Sequence, residues 1–267
     1  DGDTGLNMAS TMNYISNDLA SCSNRSIEHV SLRMAKSALM GAQGNSGVIL
    51  AQFFNGFAES LNGKLKISTQ SFADAVRKAR ISAYNAMSDP QEGTILTVIK
   101  DWSRQVEELC HKHSDFAEIL QKSLVTARKS LADTPKKLKI LAKSGVVDAG
   151  AQGFVHLLEG ITHFIDKGKI VLSEKMVDIE NFISPKIGHQ DLKFKYCTEC
   201  VFTSQDANRK TLEKLLKPHG DSLIVANTQD LFRVHIHTNE PDAVFGILEQ
   251  YGTIEKRKVD DMADQHD

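Results

Sequence analysis

The sequence predicts a multi-domain chain, an all-α first part followed by a small α+β part in the βαββαβ order of ferredoxin-like folds. Three observations lead there. Apolar residues recur at spacings of three and four through the first two-thirds, the stripe of helices that pack by one face around a shared core. Glycine-punctuated turns separate these stripes. After Lys167-Gly168-Lys169 the period changes and the remainder alternates between strand-like and helical stretches. The expected organisation is a helical part over residues 1–168, a linker over 169–190 and an α+β part over 191–267.

The helical elements follow in order. Met8, Met12, Ile15 and Leu19 mark the first stripe, and Leu50, Phe54, Phe57 and Leu61 the next. Ser71 to Met87 is alanine-rich, which favours helix and permits close packing. Further stripes run through Ile95, Val98, Trp102, Val106 and Leu109, through Phe116, Leu120, Leu124, Ala127 and Leu131, and through Phe154, Leu157, Ile161 and Phe164. All of these are expected to face inward. Weak periodicity with Pro185 and Gly188 marks the linker.

In the last part, Phe194 to Thr203 reads as a strand and Asp206 to Lys217 as a helix capped by Asp206. Ser222 to Ala226 and Leu231 to Thr238 are strands about a polar turn. A helix opens on Pro241, a residue tolerated in a first turn, and Gly252 closes it before a last strand near Ile254 to Val259.

Composition excludes some functions. Lys plus Arg, 32, nearly balance Asp plus Glu, 34, so there is no global electrostatic footprint for nucleic acid. No stretch approaches the ~18 consecutive apolar residues of a membrane span. Four cysteines in 267 residues do not make a disulfide framework, so a cytoplasmic location is expected.

The motif with the most chemistry is Asp1-Gly2-Asp3-Thr4-Gly5-Leu6-Asn7-Met8. Two carboxylates separated by glycine, ahead of a helix, suit magnesium, a hard cation commonly held by one or two carboxylates together with substrate phosphates. An ordinary Asp-Gly turn is the competing reading of the octapeptide alone. Gly41-Ala42-Gln43-Gly44-Asn45-Ser46-Gly47 and Ser144-Gly145-Val146-Val147-Asp148-Ala149-Gly150 also run into apolar helices. Loops of this kind can present free amides to an anion, although Gly44 to Gly47 taken singly reads as a helix-to-helix connection.

Together with Glu92-Gly93-Thr94-Ile95 and Thr134-Pro135, this order of motifs resembles the ATP-binding L-type domain of dihydroxyacetone kinases, in the version found in the ATP-binding subunit of bacterial fatty acid kinases. The resemblance runs through nearly the whole chain. It implies an α-helical barrel with the nucleotide at one end, Asp1 and Asp3 as catalytic residues binding Mg2+ on the ATP phosphates, and Thr4, Asn7, Asn45, Ser46 and Gly47 around those phosphates. Thr94 and Asp148 match segments lining the rest of the nucleotide pocket. The family's motif continues upstream of Asp1, where a further metal-site residue is expected.

The last part carries a second candidate site. His235 and His237, two apart on a strand, share a face; Cys197 and Cys200, three apart, do not. With the first and third strands adjacent, one cysteine lies beside both histidines. Thiolate and imidazole suit zinc, while a buried thiol beside structural histidines has equal standing on the residues alone. The Tyr196 to Glu199 and His235 to Asn239 segments match the middle domain of the ATP-binding fatty acid kinase chain, and that resemblance implies zinc on Cys197, His235 and His237, with Cys200 left out.

The activity so implied is transfer of the ATP γ-phosphoryl group to a fatty acid carboxylate presented by a fatty-acid-binding partner protein, in a homodimer. A carboxyl group with a pKa of about 4 is already ionised at neutral pH and needs no general base. That accords with motifs rich in Asp, Gly, Ser and Thr, lacking a nucleophile–base pair and lacking a P-loop. A polyol acceptor such as dihydroxyacetone, and a nucleotide- or metal-binding module without turnover, are the alternatives.

Overall fold

The computed structural model describes residues 4–87, 89–168 and 193–262. Asp1 and Asp3, and the linker expected over 169–190, lie outside the described residues.

Long helices fill the first part: α1 (Thr4–Ala20), α2 (Ile27–Gly41), α3 (Gly44–Ser60), α4 (Thr69–Ala86), α5 (Ile95–Cys110), α6 (Phe116–Ala132) and, after the short α7 (Thr134–Lys137) and α8 (Lys139–Ser144), α9 (Ala149–Lys167). Their starts are written locally. Ser68 and Ser71 form a reciprocal capping box on α4, and the Ser26, Thr94, Asp115 and Asp148 side chains accept backbone N–H bonds at the starts of α2, α5, α6 and α9. Gly145 and Gly168 close α8 and α9 in the left-handed conformation, which glycine adopts without a Cβ penalty.

Successive helices pack side by side, and α9 returns against α5, α6 and α1, closing the ring. Helix α3 is buried almost all round, as its apolar composition requires of a central helix. Its Phe53 meets Trp102 and Phe154, with the Phe53 and Phe154 rings edge-on at 5.5 Å. Gly56 lets α3 lie against α4, since a Cβ there would stand 2.6 Å from the Lys78 carbonyl oxygen.

The last part holds β1 (Tyr196–Thr203), α10 (Arg209–Leu216), β2 (Gly220–Thr228), β3 (Leu231–Thr238), α11 (Pro241–Glu249) and β4 (Thr253–Asp261). The sheet runs β2-β3-β1-β4 with all neighbours antiparallel, the order of the ferredoxin-like fold. One face, with Phe202, Val234 and Ile236, packs with Leu212 and Leu216 of α10 and Val244, Phe245 and Leu248 of α11. The opposite face places Val201, Ile224, Ala226 and Leu231 in the same core as the helices. Two polar ties add to it: Gln52 Nε2 donates to the Asn227 carbonyl at 3.1 Å, and Arg233 Nη1 to the Leu39 carbonyl at 3.4 Å.

Two local expectations are corrected. Asn208, not Asp206, caps α10, accepting from the Lys210 N–H at 2.9 Å, because the helix starts at Arg209 and the cap must directly precede it. Ile161 and Phe164, expected in the core, are 40 % and 48 % exposed. They line an open apolar groove of about 960 Å³ together with Met8 and Met12 of α1, so the end of α9 has no covering side chains among the described residues.

Candidate functional site

Ring closure brings the starts of four helices to one place. A cavity of about 260 Å³ is lined by Thr4 and Asn7 of α1, Asn45 and Ser46 of α3, Thr94 before α5 and Asp148 before α9. Helix starts present the positive end of the helix dipole and first-turn N–H groups that lack intrahelical partners, an arrangement that suits an anion. At α3, Gln43 at the N-cap makes no side-chain capping bond, whereas Thr94 and Asp148 cap α5 and α9. The larger groove beside α9 and a cavity of about 300 Å³ are lined mainly by apolar side chains, whereas the smaller cavity joins polar side chains to helix N-termini, which makes it a candidate for a phosphate tail.

Glycines set the approach of these elements. Gly44 has φ +57°, and a Cβ there would come within 2.6 Å of Asn7 Nδ2. Gly44→Ala is expected to cost about 1–2 kcal/mol, the usual penalty of an L-residue held left-handed, and to push Asn7 from its position. Urea unfolding of the variant checks it. Gly150 lets α9 pass close to Ser46, whose Oγ would lie 3.1 Å from an added Cβ. Gly47 has a different place from its neighbours. Its N–H is bound to the Gln43 carbonyl at 3.1 Å, and its bare Cα accommodates Thr11 of α1, whose Oγ1 would lie 2.7 Å from a Cβ. It packs α3 on α1 and is not among the cavity-lining residues.

Asp148 is the charged group of this cavity with a resolved environment. Burial pushes its carboxyl above the usual range, against the opposing effect of the Ala151 and Ile95 backbone N–H groups. The Ala151 N–H donates to Asp148 Oδ1 at 2.7 Å, and Thr134 accepts from the Asp148 N–H at 3.1 Å, so side chain and backbone are both held. Asp89 and Gln91, which no motif pointed to, also line the cavity.

The second candidate lies on the sheet face turned toward the helices. In the β1–β3 register Cys197 stands opposite His237 and Glu199 opposite His235. One ligand atom each of Cys197, His235 and His237 lies within 4.8 Å of the others. His235 Nδ1 is 3.8 Å from Cys197 Sγ and 3.2 Å from Glu199 Oε1, while its Nε2 is buried without a hydrogen-bond partner among the described residues. A soft thiolate, two imidazoles and an orphaned buried ring nitrogen fit a zinc-type ion. His237 has its pKa lowered, first by burial and then by the charge of His235, which favours the neutral, ligating imidazole. Cys200 points to the opposite face, where burial pushes its thiol up to about 12. It stays a protonated core residue.

Sequence reading missed what stands behind the histidines. Burial would raise the Glu199 carboxyl, but the bond with His235 and the charge of Arg233 outweigh it and hold it at about 2. Arg233 Nη2 donates to Glu199 Oε2 at 2.5 Å, and both residues are buried. The signal was present: Glu199 and Arg233 lie two residues from Cys197 and His235, hence on the same strand face.

Residues 1–163 match the DAK2 domain, and residues 193–267 match the FakA-like middle domain of fatty acid kinases. Uncharacterized proteins of Staphylococcus epidermidis and of Staphylococcus aureus strains USA300 and NCTC 8325 are each 34% identical to the chain over 277 aligned residues, covering 100% of it and 50% of their own length. The chain thus spans about half the length of the curated relatives it matches. Among the described residues no helix is long and apolar enough to cross a membrane. The chain belongs to the DAK2 domain family, a kinase-type family, and joins that domain to a FakA-like middle domain of the fatty acid kinase type.

Proposed function

We propose that this chain is the nucleotide-binding part of a cytoplasmic, homodimeric kinase that moves the γ-phosphoryl group of ATP onto a fatty acid carboxylate presented by a fatty-acid-binding partner protein, giving an acyl phosphate. The observation that carries this reading is the meeting of α1, α3, α5 and α9 by their N-termini around one polar cavity in a chain of a kinase-type family. The phosphates would lie against the Asn45 and Ser46 amides and the Thr4, Asn7 and Thr94 side chains, with Asp148 beside them; Gly47 supports that turn by packing on Thr11. Asp1 and Asp3 would hold magnesium, which, when bound, supplies charge neutralisation along the phosphate tail. The chain's remaining contribution is to orient the donor and to meet negative charge with preorganised N–H groups. The acceptor arrives ionised, so no proton has to be removed. Cys197, His235 and His237 would hold zinc in the middle domain.

The test is to incubate a full-length protein containing this chain with Mg-ATP and three acceptors in turn: a fatty-acid-loaded partner, dihydroxyacetone, and none. Hydroxylamine traps acyl phosphate as a hydroxamate. Hydroxamate formed only with the loaded partner is the expected result. Phosphorylated dihydroxyacetone would move the assignment to a polyol kinase, and nucleotide binding without ADP formation under every condition would make the chain a binding module.

A further inference from the structure

We infer that Glu199 and Arg233 are positioning residues that couple metal binding at Cys197, His235 and His237 to the α2–α3 turn carrying Asn45 and Ser46. The inference rests on the zinc part of the proposed function and deepens it. A continuous polar chain links the two places. His235 Nδ1 meets Glu199 Oε1 at 3.2 Å, Glu199 Oε2 accepts from Arg233 Nη2 at 2.5 Å, and Arg233 Nη1 donates to the Leu39 carbonyl at 3.4 Å. Leu39 lies in the last turn of α2, whose carbonyls have no partner within the helix and whose negative dipole end favours a cation. Gly41 ends that helix, and α3 begins at Gly44 with the cavity-lining Asn45 and Ser46 following.

The chain transmits because it is buried and barely satisfied. Glu199, Arg233 and His235 are 7 %, 3 % and 4 % exposed, and Arg233 Nε has no hydrogen-bond partner among the described residues. In such surroundings an ion pair cannot separate without leaving a desolvated charge, a cost of several kcal/mol, so its members move together or not at all. A metal-ligating histidine is fixed by the carboxylate that its other ring nitrogen meets, and replacing such partners commonly weakens metal binding by about 10- to 100-fold. When the metal leaves, His235 loses its anchor and can turn. Glu199 then redistributes between His235 and Arg233, and the Arg233 tie to α2 shifts with it. Linkage is reciprocal, so nucleotide bound at the turn must tighten metal binding by the same factor.

Hydrogen exchange of the zinc-loaded and chelator-stripped chain tests this, with zinc content and the visible spectrum of the cobalt-substituted protein recorded alongside. Removing zinc is expected to speed exchange of the amides from Ala42 to Val48 by about tenfold, and Mg-ADP to tighten zinc by a similar factor, within the usual range of coupling. The double variant Glu199→Gln with Arg233→Met takes out both charges without orphaning either. It should bind zinc about 10- to 100-fold more weakly, shift the cobalt spectrum and lose the exchange response at residues 42–48. The wild-type comparison alone is decisive if the variant fails to fold. Zinc bound normally with exchange at the turn unchanged on stripping overturns the coupling and leaves the metal site standing; zinc bound no better by wild type than by Cys197→Ser overturns both.

Discussion

On the proposed function, Asp148→Asn is expected to abolish most phosphoryl transfer while leaving stability intact, and Asp148→Ala to lose that activity together with some stability. Asparagine caps a helix about as well as aspartate, so the bond from the Ala151 N–H, 2.7 Å long, survives in the first variant. In the second it is gone, at a cost of about 1 kcal/mol. Both variants lack the carboxylate beside the candidate phosphate site, and turnover by each should fall on the order of 100-fold, the scale seen when one preorganised polar group is removed from an active site. ADP release and thermal unfolding, measured on the same samples, separate the two effects; Asp148→Asn turning over like wild type would remove Asp148 from the proposed site.

The same carboxyl gives a pH signature. Burial raises its pKa in the folded state above the unfolded value near ~4. Its contribution to stability is therefore fully present below the unfolded value and is lost as pH rises through the folded one. Without ligand, the stability of wild type relative to Asp148→Asn should fall across that window and level off above it. A bound divalent cation favours the ionised form and should flatten the curve.

Phe154→Ala is the largest stability effect expected, about 3–5 kcal/mol, or a drop of on the order of 10 °C in melting temperature. The ring is fully buried and meets Phe53 edge-on at 5.5 Å and Trp102 at 5.7 Å. It also borders the apolar cavity of about 300 Å³, so truncation enlarges an existing void that the neighbours have not collapsed to fill. Phe154 lies in the second turn of α9, and loosening it frees the helix start that presents Asp148. Phe154→Leu, which keeps most of the volume, should cost no more than about 1.5 kcal/mol. A melting temperature of Phe154→Ala within a degree or two of wild type would show that α9 does not organise the core.

How much was legible can be followed residue by residue. The stripes of α5 and α6 predicted their buried faces because large apolar residues at helical spacing have one way to leave water. No such stripe marks α2, which turns Ser31, Ala35, Ser37 and Ala38 inward; small residues pack closely but carry little periodic signal. Ile161 and Phe164 follow the pattern of their helix and yet stand half exposed, since a stripe tells which residues share a face and not what covers it. Strand period puts Glu199 and Arg233 on the face of the cluster, but only their burial as a pair reveals their part in it.

What the sequence determined by itself was local: helices opened by capping side chains, glycine turns free of side-chain bulk, and a period of two that puts Cys197 with Glu199 and His235 with His237 on common strand faces. Those depend on neighbours a few residues apart. Tertiary structure decided the rest, namely that Asn7, Asn45, Thr94 and Asp148 border one cavity, that Gly47 packs on Thr11, and that the metal-type cluster faces the helices through an ion pair. The physical reason is that convergence is set by ring closure and strand register, and both follow from burying a shared apolar core between segments far apart in the chain.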